Sequence, residues 1–408
     1  MTDTTHTHAA AAEQAPQFPM QRAEGCPFDP PPGLLALREL GPLVKVRLFD
    51  DSTPWLVTRH ADQKSVLADP RFSADINHPG YPKQAPVKGR VRLSLPGMDD
   101  PDHARLRRMI SGAFSVKRVE AMRPAIQELV DGFIDRLLAG PKPVDLVEAL
   151  ALPVPSLVIC ELLGVPYEDH DFFQTNSKII ILRSSSLDER MAAQQKLIEY
   201  LDGLIGKKLA TPEDDLLSAL AERVRNGELP RQEAAELGVL LLLGGHETTS
   251  NMIALGTLLL LEYPEQLERL RTNDDPQLVV SAVEELLRYL TVAHTGRRRV
   301  ALEDVDIAGQ TVRAGEGVIM PSDVANRDPE AFPDPGRLDI ERSARHHQAF
   351  GAGTHHCLGQ PLARLELQVV YGTLYRRIPT LRLATDLGKI PFKHDGFIYG
   401  VHELPVTW

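Results

Sequence analysis

The stretch Ala349-Phe350-Gly351-Ala352-Gly353-Thr354-His355-His356-Cys357-Leu358-Gly359 sets one cysteine beside two histidines and three glycines. A lone thiol in such company is a buried spectator, a nucleophile, a zinc ligand or a haem ligand. The spectator is the default. Zinc needs a ligand set that the other two cysteines, Cys26 and Cys160, do not suggest, and a nucleophile needs a supporting base in a recognised arrangement. Ligation of haem iron by thiolate accounts for more of the neighbours. Gly351, Gly353 and Gly359 permit tight turns and let backbone approach a flat macrocycle, while Phe350 offers a ring to lie against its face. The sequence then turns helical, with Pro361 acceptable in a first turn. A thiolate at a helix N-terminus is favoured by the helix dipole and by free N–H groups.

Three further constellations are weaker taken singly. Between Arg231 and Tyr263 runs a proline-free segment of 33 residues whose apolar flanks enclose Gly244-Gly245-His246-Glu247-Thr248-Thr249-Ser250. Each glycine inside a helix costs up to about 1 kcal/mol relative to alanine, and a buried carboxylate costs more unless paired. The segment is either a kinked helix whose polar side chains bond their own backbone, or a groove facing a planar ligand with an acid and a hydroxyl able to pass protons. Glu285 and Arg288, three apart, share a helix face. His103 and Arg107, four apart, also share one and could grip an anion together. Each pair arises often as an ordinary solvated helix surface.

Elements that would position these residues are legible in outline. Residues 43–49 and 54–59 alternate β-branched and apolar residues around Asp50-Asp51-Ser52-Thr53, which predicts a β-hairpin. From about Asp102 to Leu290 the spacing is mainly helical, as in residues 123–139, and Arg231–Tyr263 reads as one long buried helix. After Arg297 short strands with glycine turns return, residues 327–342 form an irregular proline-rich meander, and the C-terminus closes in strands again. The expected class is mainly α with small β-sheets.

Composition excludes several functions. At 408 residues and 43% hydrophobic side chains the chain can bury a large core, as one domain or two packed lobes. A net charge of −11 argues against a general nucleic-acid surface. Three scattered cysteines fit no disulfide framework, and a reducing cytosol is the natural setting. The first 20 residues lack the charged and apolar regions of a signal peptide and read as a mobile leader. Neither of the longest apolar runs, Val239 to Leu243 and Met252 to Leu261, approaches the roughly 20 residues of a membrane span.

Taken together, the four stretches resemble the cytochrome P-450 superfamily, in its soluble bacterial class that includes actinomycete hydroxylases, over essentially the whole chain after the leader. Residues 350–359 match the F-G-x-G-x-H-x-C-x-G signature at every fixed position. The resemblance implies a single haem-thiolate domain over residues 21–408, with haem b (iron protoporphyrin IX) held between the long helix and the cysteine-bearing loop. It implies that Cys357 is the iron ligand, that Phe350, Gly351 and Gly359 belong to the cofactor loop, and that His103, Arg107, Arg299 and His355 serve the haem propionates. Glu285 and Arg288 match the buried E-x-x-R pair, with Arg337 as the third partner. Glu247 would carry protons from solvent, and Thr248 would supply the hydroxyl at the oxygen-activation step. The chain reads Gly244-Gly245 where the family usually has alanine-glycine.

By the same resemblance the activity is insertion of one oxygen atom of dioxygen into a lipophilic small molecule. Electrons would come from a ferredoxin and its NAD(P)H-dependent reductase, since the sequence shows no flavin or nucleotide-binding extension. Arg105, Arg108 and Arg364 are candidate docking charges for that acidic partner. The implied pocket takes in residues 72–95 and 172–186, Leu240, Leu243, Gly244, Val292, Ala293, Thr295, Phe397 and Ile398. Arg297 and Arg298 would meet an acidic substrate or lie on a surface strand. The protein is expected to be a cytoplasmic monomer. Alternatives are a nitric-oxide reductase of the same superfamily, whose long helix lacks the acid, and a non-catalytic haem-thiolate sensor or carrier.

Overall fold

A computed structural model describes residues 15–23, 25–86, 89, 94–394 and 396–408. Its helices are α1 (Pro32–Leu40), α2 (His60–Ala68), α3 (Asp102–Ser111), α4 (Val116–Ala121), α5 (Arg123–Ala139), α6 (Pro153–Leu163), α7 (His170–Ile181), α8 (Leu187–Ala210), α9 (Leu216–Arg225), α10 (Arg231–Glu262), α11 (Pro264–Thr272), α12 (Pro276–Tyr289), α13 (Ser322–Ala325) and α14 (Gln360–Arg377). Strands are short: β1 (Leu43–Lys45), β2 (Trp55–Val57), β3 (Phe72–Ser73), β4 (Val144–Asp145), β5 (Arg297–Ala301), β6 (Val305–Ile307), β7 (Gln310–Val312), β8 (Gly317–Met320), β9 (Arg382–Leu383) and β10 (Pro405–Thr407). The expected class, mainly α with small sheets, is what forms. Among the described residues, no helix is long and apolar enough to cross a membrane.

Contacts gather the chain into two compact units whose segments interleave along the sequence. One takes in the described part of Met1–Ala104 with Leu287–Leu338 and Ala344–Cys357. Its five-stranded sheet runs β1-β2-β8-β5-β3, with the predicted hairpin β1–β2 at one edge (Leu43 opposite Val57) and a parallel β2–β8 pair beside it. One face of this sheet packs Leu56 and Ile319 against Phe18, Leu34, Leu37 and Val324. Phe18 belongs to the stretch expected to be mobile. Residues 1–14 of that leader lie outside the described residues, but Ala15 and Phe18 are buried, and Pro16 and Phe18 hydrogen-bond Arg47 through the backbone. Residues 15–18 of the expected leader are therefore held by the fold. An apolar Phe18 at the edge of a sheet has a core to enter.

The other unit takes in Arg105–Leu286, Asp339–Ser343 and Leu358–Trp408. It is built on α10, which starts after Pro230 and runs 32 residues without a break. Apolar residues lie all round its C-terminal half, so it is buried rather than amphipathic, as Ile253, Leu255, Leu258 and Leu260 show at zero exposure. Helices α6, α8 and α14 pack along it. Tyr371 of α14 donates its hydroxyl to the carbonyl of Met252 at 2.6 Å, and a Cβ at Gly256 would fall 2.0 Å from that hydroxyl oxygen. A small sheet, β4-β10-β9, closes this unit.

Candidate active site

In the first unit the Cys357 loop is fixed by backbone. Gly351 N–H donates to Gln348 at 3.0 Å, His356 N–H to Gly353 at 3.0 Å, and Cys357 N–H to the Phe350 carbonyl at 2.9 Å, closing the loop on itself. Two glycines are obligatory. Gly351 and Gly353 have φ of 74° and 69°, and a Cβ at Gly353 would lie 2.0 Å from the Leu67 carbonyl oxygen. Gln348 anchors the loop's start, taking Asn326 Oδ1 on its N–H and giving its side-chain amide to the His60 carbonyl. The loop presents Cys357 exposed, whereas Cys160 is buried with its thiol pushed up to about 12. Phe350 lies against His347, ring centroids 5.7 Å apart.

Cationic and imidazole groups gather in the same unit. His103 on α3 is buried and stacks on His355 with ring centroids 4.1 Å apart. Arg299 on β5 is buried, donates to the Arg298 carbonyl at 2.7 Å, and forms no ion pair among the described residues. Burial lowers its pKa, with Tyr81 and Asp99 pulling it up. Arg297, two residues earlier on the same strand face, was expected at a substrate or on a surface strand. It instead braces the cysteine loop, donating to Ser322 Oγ at 2.5 Å and to the carbonyls of Gln348 and Ala349. Burial pushes its guanidinium down to about 10, against the pull of Cys357. Strand alternation at residues 297 and 299 is the signal that could have found it. Arg298, on the opposite face, donates to the Thr295 carbonyl.

The E-x-x-R pair holds the meander, with Arg342 among its partners. Arg288, fully buried, donates to the carbonyls of Asn326, Pro335 and Arg337 at 2.8, 2.9 and 3.3 Å, which holds the meander. Glu285, fully buried on the same helix, receives Arg342 Nε at 3.2 Å and the Asp339 N–H at 3.0 Å. Arg337 was expected as the third partner. Its backbone carbonyl meets Arg288, and a guanidinium paired with Glu285 comes from Arg342.

In the second unit the polar stretch sits in unbroken helix. Its side chains do bond their own backbone, as the plainer alternative required: His246 Nδ1 to the Leu242 carbonyl at 2.6 Å, Thr248 Oγ1 to the Gly244 carbonyl at 2.8 Å, and Asn251 Nδ2 to the Glu247 carbonyl at 2.7 Å. The two glycines differ. A Cβ at Gly245 would fall 2.6 Å from Ile159 on α6, whereas one at Gly244 meets nothing within 4 Å. Gly244 is thus exposed beside half-buried Leu240 and Leu243, and Ile398 and Phe397 are half-buried. Arg107 is half-buried on α3. Arg105 is committed to Glu233 and Arg364 to Glu284, both bidentate, so only Arg108 of the three docking candidates is exposed without an ion pair among the described residues.

Of the expected pocket residues in the first unit, Val292 is half-buried and Ala293 exposed. Thr295 is buried, its hydroxyl receiving Gln84 Nε2 at 3.1 Å, so it offers little surface. Residues 87, 88 and 90–93 of the expected 72–95 segment lie outside the described residues. Gly359 directly precedes α14, with Pro361 in its first turn.

A glycine-built loop presenting one thiol, with imidazoles and a buried guanidinium in the same unit, fits a haem-thiolate class of protein. The cytochrome P450 family model matches residues 37–381, and this chain belongs to that family. Cytochrome P450 GfsF of Streptomyces halstedii is 55% identical over 100% of both chains, and its crystal structure has a TM-score of 0.90, covering 97% of this chain and 100% of that one. Pentalenic acid synthase of Streptomyces avermitilis is 49% identical, covering 96% of this chain and 97% of its own. Mycinamicin VIII C21 methyl hydroxylase of Micromonospora griseorubida is 44% identical, covering 96% and 99%; its structure bound to mycinamicin VIII has a TM-score of 0.90.

The protein is accordingly an oxidoreductase, a P450 monooxygenase with haem b as cofactor, acting on a small molecule with dioxygen and redox partners. The residues present fit that group. The exposed thiol is a soft ligand for iron, Gly353 leaves no room for a side chain beside Leu67, and buried Arg299 forms no ion pair among the described residues. No cluster of histidine, cysteine and carboxylate able to hold a separate metal ion occurs among the described residues.

Proposed function

We propose that the enzyme hydroxylates or epoxidises a lipophilic natural product or xenobiotic, in the cytoplasm and as a monomer, with electrons from a ferredoxin and its NAD(P)H-dependent reductase. The observation that carries this reading is the exposed Cys357 at the apex of a loop that only glycines can form. Haem, when bound, supplies the oxidant that inserts oxygen into the substrate. Cys357 would be its thiolate ligand, and His103, Arg107, Arg299 and His355 would hold the propionates. Leu240, Leu243, Gly244 and Ile398 of the second unit, and Val292 and Ala293 of the first, would each offer apolar surface to a lipophilic substrate. Relatives whose names specify a methyl hydroxylase and an acid synthase of natural products support that substrate class.

Proton delivery falls to α10. Glu247, mostly buried with 13% of its side chain exposed, would carry protons inward. Thr248 has its hydroxyl proton engaged on the Gly244 carbonyl, which leaves the oxygen lone pairs free to accept a hydrogen bond. It therefore holds a proton-bearing partner in place rather than donating first.

The test is spectroscopic. Cys357→Ala abolishes the thiolate-type absorption of the reduced carbon-monoxide complex, while Cys26→Ala and Cys160→Ala retain it; an unchanged spectrum in the first variant refutes the assignment. A screen of lipophilic compounds for the substrate-induced spin-state shift then defines the substrate. Reduction of nitric oxide by NADH without any partner protein would favour the nitric-oxide reductase alternative.

A further inference from the structure

We propose that His246 is a positioning residue for the proton-bearing form of Glu247: its buried Nε2 accepts the Glu247 carboxyl proton and holds that side chain inward between deliveries. The inference rests on the reading of Glu247 as proton carrier. His246 has no exposed surface and packs edge to face against Phe173 of α7, ring centroids 5.8 Å apart. Its Nδ1 lies 2.6 Å from the Leu242 carbonyl. A carbonyl only accepts, so Nδ1 carries the ring proton and Nε2 presents a lone pair. That lone pair meets no donor among the described residues. A buried acceptor without a donor is costly, and a neighbour able to supply a proton relieves the cost. Glu247 Oε1, 3.7 Å from Nε2, belongs to such a neighbour.

The separation lies beyond a hydrogen bond, which is what the charged form imposes: with Glu247 as carboxylate, two lone pairs face one another. Protonated, the same side chain has an O–H to give, and its terminal torsion is soft enough to turn the hydrogen onto Nε2. One protonation thus reverses the contact from repulsive to bonding. Burial chiefly, with the Lys393 ammonium, holds the His246 pKa below its ordinary value against the pull of Glu247, which keeps Nε2 an acceptor. Lys393 itself is turned to Asn251, donating to its Oδ1 at 3.0 Å. In each cycle the Glu247 O–H bond breaks and the proton passes to a water in the site, the electron pair stays on the carboxylate, and a hydronium from solvent restores the acid. His246 gains and loses no proton.

The experiment reads the carboxyl itself. Infrared difference spectra of the holoenzyme against Glu247→Gln, recorded down a pH series, isolate the C=O stretch of the protonated Glu247 carboxyl. In the parent the band lies at the lower frequency of a hydrogen-bonded carboxyl. It moves to higher frequency in His246→Phe, which keeps a ring against Phe173, and in His246→Asn, which keeps an amide donor for the Leu242 carbonyl; both lack Nε2. His246→Gln, whose amide oxygen accepts, brings the band back. With ferredoxin, its reductase, NAD(P)H and testosterone as the lipophilic probe, His246→Phe lowers consumption and hydroxylated product together by about 10-fold, with haem content and the carbon-monoxide spectrum unchanged. Added to Glu247→Gln, the same change costs nothing further, because the two residues act as one pair. A band that stays in place in both the phenylalanine and asparagine variants, beside a slow Glu247→Gln, overturns the role of His246 alone. A Glu247→Gln enzyme with the parental rate overturns both readings. A His246→Phe loss that persists in the Glu247→Gln background, with the band unmoved, marks His246 as merely structural and overturns the proposal.

Discussion

At the scale of single residues, function turns on which atoms are already engaged. Thr248 and Thr249 are neighbours of the same type, yet Thr249 is buried and Thr248 bonds Gly244 on the half-exposed side of α10, about 100° of helix away. Removing the Thr248 hydroxyl removes an acceptor, not a structural bond that the helix requires. Thr248→Ala should keep consuming NAD(P)H and oxygen while product falls and hydrogen peroxide rises, with Thr249→Ala close to the parent. Measuring peroxide and product against NAD(P)H checks this. Tight coupling in Thr248→Ala would return the polar stretch to the plainer account of side chains bonding their own helix, which the three i−4 bonds already display.

Elements decide which glycines matter. In α10 the pair Gly244-Gly245 looks uniform in sequence, but Gly245 lies against Ile159 and Gly244 against nothing. Gly244→Ala should stabilise the helix by up to about 1 kcal/mol through backbone propensity. Gly245→Ala should destabilise by about 1–3 kcal/mol, because overpacking displaces α6. Urea unfolding of the two variants separates them; equal effects would contradict the packing described. The same variants bear on the family's usual alanine at position 244, which the structure accommodates without a clash. Arg297 teaches a related lesson at β5: its strand face, not its charge, assigns it to bracing the cysteine loop.

At the scale of the whole molecule, charge is spread unevenly in use. The chain carries a net charge of −11, so an acidic ferredoxin needs a local basic patch. Arg105 and Arg364 are held by Glu233 and Glu284, so of the three candidates Arg108 is the one that would meet the proposed ferredoxin. Arg108→Glu should raise the ferredoxin concentration giving half-maximal rate by about 10-fold at low salt, an effect that shrinks as salt screens it. Peroxide-driven turnover, which bypasses the partner, should be unchanged. If ferredoxin titrations of Arg108→Glu and the parent coincide, docking lies elsewhere.

What the amino-acid sequence determined by itself was chemistry that depends on local spacing. The Cys357 signature, the glycines that make its loop possible, the span of α10 and the first hairpin all follow from neighbours a few residues apart, where steric rules act directly. The class of mainly helical fold followed from periodicity in the same way. Only the tertiary structure decided partners brought together from distant segments. Phe18 found a core under the sheet although its neighbours lack any pattern. Arg342 reached Glu285, and the Arg337 carbonyl reached Arg288, because a meander without periodicity gives no register to count along. Arg105 and Arg364 were withdrawn into ion pairs that no local pattern signals. Lys393 met Asn251 across 142 residues of chain. Contacts of that kind depend on how elements pack, and packing is set by the shape of the whole core rather than by any short stretch.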